Sequence, residues 1–460
     1  MCCGQDLEVI SMVHGTLDSW VQEMDQLVHA HGLTPLPTEF YLVSDEDIYT
    51  LSSYFVPGRY RHWTHGERYW MAKQRDEQGM GRIYELVVNG DPALAYLLDK
   101  NADAYNVLVI GHVLGHTDFF ARNQYLSLVR RPNIGMWFRE HAQWLEDLHR
   151  QRSFSRVEKL IDAAHTLSQL VDPYYRAPEF LRVPGKENYL RQQKSFDWVQ
   201  ELYEPTAPDF GDDASYVPSF KIWPYTQDVL ALVADYGHLG EEERVALRML
   251  RDEMLYFQPQ ARTKFMNEGW ATFWHVRLIR EFSQWDDQDH IEAMRMHALV
   301  TQSRNFFNPY YFGWTLWELL YELHGLETCF EIVADQTDLQ WINQWITPEL
   351  VRLAQDKNWW PLERPVDPED LNKGTEYYPV EDLMHDVQMV FQPDGPEIFV
   401  EQIDAQSHRL DLIYHGERPL HKEYTQDVLN AVAYLWGGDV MLTSAHKIWY
   451  GNEADWRRRA

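Results

Sequence analysis

Two stretches constrain this chain more than any others. Gly111-His112-Val113-Leu114-Gly115-His116-Thr117-Asp118-Phe119-Phe120 places two imidazoles four positions apart, one helical turn on one face. Lys264-Phe265-Met266-Asn267-Glu268-Gly269-Trp270-Ala271-Thr272-Phe273-Trp274-His275 places a carboxylate and an imidazole seven positions apart, two turns on one face. Both stretches are otherwise apolar and aromatic, so their polar groups point into an interior or a cleft. Polar groups in such surroundings need partners. A divalent metal is one partner that satisfies three or four of them together.

The 460 residues are enough for a large core and more than one domain. An aromatic share of 14%, with 19 Trp, predicts a core of large flat side chains. The formal charge of −30 argues against a nucleic-acid or anionic-membrane surface, because phosphates would be repelled over most of it. Such acidity keeps a protein soluble or recruits a basic partner. The three cysteines, Cys2, Cys3 and Cys329, make neither a disulfide framework nor a zinc ribbon, as in a reducing compartment. The N-terminus shows no secretory pattern, and no apolar run reaches the roughly 18 to 20 residues of a spanning helix. The expectation is a cytoplasmic protein.

Helical spacing of apolar residues predicts helices over 6–31, 45–55, 92–99, 103–130, 135–150 and 153–171, then over 226–237, 241–257, 260–283, 287–301 and 314–324. Thr347-Pro348 opens another. Residues 83–88 read as a strand after Gly79-Met80-Gly81, and 57–66 as an irregular loop carrying His62 and His65. The Pro-, Gly- and Asp-rich stretch 172–222 reads as a long surface excursion. Alternation predicts strands over 383–392, 396–404, 408–415 and 440–449, with a helix over 421–435. The expected fold is a mainly α-helical large domain over 1–374, with zincin-like features, and a small C-terminal α+β domain over 375–460.

The pentapeptide Asn267-Glu268-Gly269-Trp270-Ala271 is similar to the Asn-Glu-Gly-Phe-Ala segment of gluzincin metallopeptidases, in which the Glu is the third zinc ligand after two His at this spacing. Two features depart from that pattern. Val113 stands where a gluzincin has its general base, and Glu268 follows the His pair by roughly 150 positions rather than closely. The candidate ligand set is His112, His116 and either Glu268 or His275, with a position left open for water or substrate. The alternative is that Glu268 and His275 form a buried hydrogen-bonded pair with no metal. Candidates for the missing base are Asp118, Glu85 and Glu253; Asp118 is equally a candidate to steady a His ring. His62, Arg262 and Lys264 are candidates for holding substrate, against the plainer reading that they lie at the surface. The chain has no Gly-x-Ser-x-Gly elbow and no phosphate loop, and Gly79-Met80-Gly81 precedes a strand rather than following one.

Taken together, the segments resemble the SpoVR family, named for stage V sporulation protein R. They are Tyr60-Arg61-His62-Trp63, Gly79-Met80-Gly81-Arg82-Ile83-Tyr84-Glu85, the His112 to Phe120 segment, Tyr256-Phe257 through Ala271, Asn308-Pro309-Tyr310, Ile346-Thr347-Pro348-Glu349-Leu350 and Leu435-Trp436-Gly437. The resemblance runs nearly end to end and implies a link to spore cortex formation or to a stress and envelope module. Gene neighbours of that family imply a serine protein kinase and a protein with a von Willebrand-like domain as partners. Two functions follow as expectations. One is a metal-dependent enzyme, zinc first among the metals, acting on amide or peptide bonds. The other is a non-catalytic partner of the kinase module, its His/Glu cluster structural.

Overall fold

The computed structural model describes residues 14–77, 85–172, 221–222, 226–302, 306–366, 373–391, 397–404, 407–416, 418–445 and 447–457. The fold is mostly helical, with seventeen helices and several small sheets among these residues. Two compact units emerge: residues 1–142 with 258–392, and residues 143–257 with 393–460.

In the first unit, α1 (His14–Ala30) is followed by β1 (Thr38–Val43), α2 (Asp45–Tyr54), α3 (Trp63–Glu77), β2 (Glu85–Val88), β3 (Ala93–Leu98) and α4 (Asp103–Arg122). Strand β3 lies between β1, its parallel neighbour, and β2, its antiparallel neighbour. The expected helix over 92–99 is therefore a strand. Its Ala and Leu residues favour a helix when taken alone, but four of its six residues are wholly enclosed between two neighbours, and packing overrides propensity. Strand β1 went unnoticed in the sequence. The expected helix 103–130 is broken at Asn123, whose side chain accepts from the backbone N–H groups of Tyr125 and Leu126 and so starts α5 (Gln124–Val129). The loop expected over 57–66 gives way to α3 at Trp63.

Later in the chain come α6 (Ile134–Gln151), α7 (Phe154–Thr166), α8 (Val229–Tyr236), α9 (Glu241–Arg262), α10 (Lys264–Leu278), α11 (Asp287–Val300) and α12 (Pro309–Asp335). Helix α12 is interrupted at Gly325, which has φ of 83°. Helices α13 (Asp338–Trp345), α14 (Pro348–Asp356) and α15 (Val380–Val390) complete the first unit. The strand expected over 383–392 is thus a helix. Its buried residues, Val380, Leu383 and Val387, recur at one-turn spacing, which the short alternating runs obscured.

The first unit's core is built on α10, which packs against α4 and α12. Glycine makes that approach possible. A Cβ at Gly269 would lie 2.4 Å from the carbonyl carbon of Gly313, and one at Gly115 would lie 2.7 Å from Cα of Ala271. Trp270, Trp274, Trp317, Trp341 and Trp360 fill the surroundings with almost no exposure. Some of their indole N–H groups find acceptors: Trp317 donates to the Met266 carbonyl at 3.0 Å and Trp360 to Thr315 Oγ1 at 3.1 Å. Asp338 accepts from the backbone N–H groups of Phe265 and Met266 at 2.9 and 2.8 Å, pinning the start of α10.

The second unit carries β4 (Ile398–Asp404), β5 (Arg409–Tyr414), α16 (Lys422–Trp436), β6 (Val440–Thr443), β7 (Ile448–Gly451) and α17 (Glu453–Arg457). Its sheet runs β7-β6-β5-β4, with the two residues Lys221–Ile222 paired at the β4 edge. The strand expected over 440–449 is two antiparallel strands joined by a turn. Beyond Asp172 and residues 221–222, the 172–222 stretch lies outside the described residues, as does Gly79-Met80-Gly81.

Candidate metal centre

Four side chains from three elements converge in the first unit. Helix α4 presents His112 and His116 one turn apart, their rings 4.5 Å between centroids and nearly perpendicular. Helix α10 brings Glu268, whose Oε2 lies 3.5 Å from Nε2 of each histidine. Strand β2 brings Glu85, whose Oε1 is 3.9 Å from His112 Nε2. Donor atoms of Glu85, His112 and His116 all fall within 4.8 Å of one another, a spread that a metal ion can span.

These separations are too long for good hydrogen bonds. His112 Nε2 and Glu268 Oε2 are both buried without a hydrogen-bond partner. Around a tetrahedral ion with bonds of about 2.0–2.1 Å, neighbouring donors stand roughly 3.3–3.4 Å apart. The spacing fits a coordination shell better than a hydrogen-bonded cluster.

The outward-facing nitrogens of both rings are held. His116 Nδ1 is 2.9 Å from Asn267 Oδ1, so it carries the proton and leaves its Nε2 lone pair toward Glu268. His112 Nδ1 is 3.0 Å from His275 Nδ1, and His275 Nε2 is 2.9 Å from His297 Nδ1. Tyr310, at the start of α12, stands beside the cluster with its ring 5.7 Å from that of His112; the negative charge of Glu268, then burial, raises the phenol well above its usual range.

Electrostatics separate the two carboxylates. Burial opposes ionisation of Glu268, but the adjacent His112 and His116 imidazoles outweigh it and hold the carboxyl well below its usual value. Burial, reinforced by repulsion from Glu268, pushes Glu85 up to about 7. His112 is pushed down to about 4 by burial and by His116. Burial also acts against protonation of His116, yet Glu268, Asn267 and Glu85 together raise it. Two carboxylates with such different proton affinities can take different roles, one ionised and one able to exchange a proton near neutrality.

The other sequence candidates lie in varied settings. Asp118 is fully buried and accepts from Thr34 N–H at 2.7 Å, Arg122 Nε at 2.8 Å and Trp270 Nε1 at 3.0 Å, so it braces α4 against α10. His275, the alternative ligand to Glu268, has both nitrogens against other imidazoles. His62 and His65 are enclosed rather than solvent-exposed, and His65 lies within α3. Arg262 is half-buried at the end of α9, and Lys264 is exposed at the start of α10. Glu253 is buried on the part of α9 that belongs to the second unit. Sequence reasoning assigned no role to Asn267, Tyr310 or His297. Asn267 adjoins Glu268 and Tyr310 closes the Asn308-Pro309-Tyr310 segment that carries the family resemblance, whereas His297 carried no local signal.

A family model described as SpoVR like protein matches residues 12–357. The chain belongs to the SpoVR family. All the converging residues fall within the matched segment. The chain is also 24% identical to the "Uncharacterized protein YcgB" of Escherichia coli, an alignment covering 93% of this chain and 91% of that protein. No solved structure matches. Among the described residues, no helix is long and apolar enough to cross a membrane.

Proposed function

We propose that this chain is a metal-dependent enzyme acting on amide or peptide bonds, with His112, His116 and Glu268 holding the cation and Glu85 beside it. The observation that carries this reading is the pair of buried, unpartnered atoms, His112 Nε2 and Glu268 Oε2, facing each other at 3.5 Å with His116 Nε2 equally close to the carboxylate. Leaving such atoms unmatched costs free energy on the order of 1–3 kcal/mol each, more where charged, unless a ligand satisfies them. Two imidazoles with carboxylates suit zinc.

A divalent cation bound there supplies Lewis acidity to a carbonyl oxygen. Glu85, with its proton affinity near neutrality, takes the place of the general base that gluzincins carry next to their first His and that Val113 cannot supply. Tyr310 retains its proton and so offers a hydroxyl donor beside the carboxylates. Asn267 fixes the His116 tautomer. The alternative, a non-catalytic partner of a serine protein kinase, expects a cluster closed by its own hydrogen bonds, and the unpartnered atoms weigh against it.

Elemental mass spectrometry of the purified chain tests the proposal. Near-stoichiometric zinc, or another divalent metal, is expected in the parent protein and is lost in His112→Ala and Glu268→Gln while the helical circular dichroism persists. A parent protein that carries no metal, and takes up none on dialysis against zinc, would remove the metalloenzyme reading and leave kinase partnership to be tested by co-purification.

A further inference from the structure

Behind the candidate centre lies a line of three imidazoles from three helices: His112 on α4, His275 on α10 and His297 on α11. The nitrogen contacts are 3.0 Å and 2.9 Å. All three rings are buried, with exposures of 3%, 1% and 6%. An imidazole–imidazole hydrogen bond needs one N–H and one lone pair. Two such bonds in series leave neutral rings only two arrangements. Either every proton is donated away from His112, or every proton is donated toward it.

The two arrangements differ at the metal end. If His112 donates from Nδ1, its Nε2 holds a lone pair facing Glu268; His275 then donates from Nε2 to His297, which carries its own proton on Nε2. In the reverse arrangement His112 carries its proton on Nε2, where it would block a cation. At the far end, the His297 ring meets Trp314 edge-on at 4.9 Å. Trp314 Nε1 donates to Glu318 Oε1 at 2.9 Å, and Arg277 holds both oxygens of Glu318 at 2.7 Å. Arg280 and Glu318 act on His297 with opposite signs, so the far end does not choose between the two arrangements; a cation at His112 Nε2 does, because it needs the lone pair that only the first arrangement leaves there.

We propose that His275 and His297 are positioning residues that set His112 in its Nδ1–H tautomer, so that an imidazole two rings away governs cation affinity. This rests on the metal reading of the preceding section and deepens it. The sequence alternative of His275 as a direct ligand makes a different prediction, because a ligand must offer its own lone pair to the ion.

The experiment uses the full chain with zinc as the probe, titrated in competition with a chromophoric chelator. His275→Phe keeps a ring but removes both polar atoms, and is expected to weaken zinc binding about 10- to 100-fold. His275→Gln, whose amide can accept from His112 and donate to His297, is expected to recover most of that loss. His297→Phe breaks the line one ring farther out and is expected to weaken zinc binding several-fold, less than His275→Phe. Nitrogen-15 histidine spectra of the zinc-loaded parent give an independent readout that needs no variant: His275 is expected to be protonated at Nε2 and not at Nδ1. Zinc affinity unchanged in His275→Phe, or a proton on His275 Nδ1 in the zinc-loaded protein, would overturn the proposal while leaving the metal site standing. Absence of zinc binding in the parent would overturn both, and that outcome is visible before any variant is made.

Discussion

In the second unit the carboxylate of Asp228, fully buried, accepts from Ala231 N–H and Asp172 N–H at 2.7 Å each and from Arg251 at 2.9 and 2.6 Å. In the first unit the Glu268 carboxylate keeps one buried oxygen bare, opposite an equally bare imidazole nitrogen. Both carboxylates are buried, but only that of Asp228 completes its hydrogen bonding. Arg244 repeats the saturated pattern, donating to the carbonyls of Ala234, Asp235 and Gly237 at the end of α8. A saturated buried group holds structure together, whereas an unsaturated pair at coordination distance leaves room for a ligand, which is the ground on which the metal site is proposed.

The sharpest way to break this contrast is Asp228→Ala. It takes the carboxylate away from Arg251 and removes the cap of α8, and is expected to lower stability by about 3–5 kcal/mol. Chemical denaturation measures the loss, and metal content per folded molecule stays at the parental level. A similar stability loss in Glu268→Gln would instead mean that Glu268 is as structural as Asp228. Gly269→Ala comes next. Its new Cβ meets the Gly313 backbone at 2.4 Å, so α10 must move off α12. A cost of about 1–3 kcal/mol is expected. Because Glu268 adjoins the displaced residue, weaker zinc binding should accompany it, a coupling that no packing change in the second unit should show.

The smallest effect concerns acid. Burial, then the nearby Arg59 and Arg68, depress His65 from 6.5 to about 3, and its Nδ1 lies 3.2 Å from the Ser53 carbonyl. A depressed imidazole is neutral when folded and protonated when unfolded between those two values. The unfolded state therefore binds more protons there, and stability is full above pH 6.5 and declines as pH falls toward 3. The slope contributed is at most about 1.4 kcal/mol per pH unit. Denaturation of the parent and His65→Phe at pH 7, 6 and 5 should show a shallower decline in the variant. Parallel profiles would mean that His65 is not held neutral.

Much of the first unit was legible from local pattern. His112, His116 and Glu268 were found because a helix fixes the angle between residues, so that spacing alone tells which side chains share a face. Strand β3 and helix α15 were misassigned because Ala-Leu runs and short alternations fit either period until their neighbours are known. The loop reading of 57–66 holds at His62, which precedes α3, and fails at His65; the burial of both escapes local pattern because the aromatic rings around them, Tyr54 and Tyr60 among these, come from separate turns of chain.

What the sequence determined by itself was a family, a mostly helical fold and two helix faces bearing metal-type donors. Only the tertiary structure decided that those faces meet, that Glu85 arrives from a strand as the second carboxylate, that Tyr310 stands at Glu268, and that His275 backs His112. The reason is physical. Periodicity along a helix is a local property of the backbone. Which face meets which is settled by the glycine contacts at 115, 269 and 313 and by strand pairing across the sheet, interactions between residues far apart in the chain.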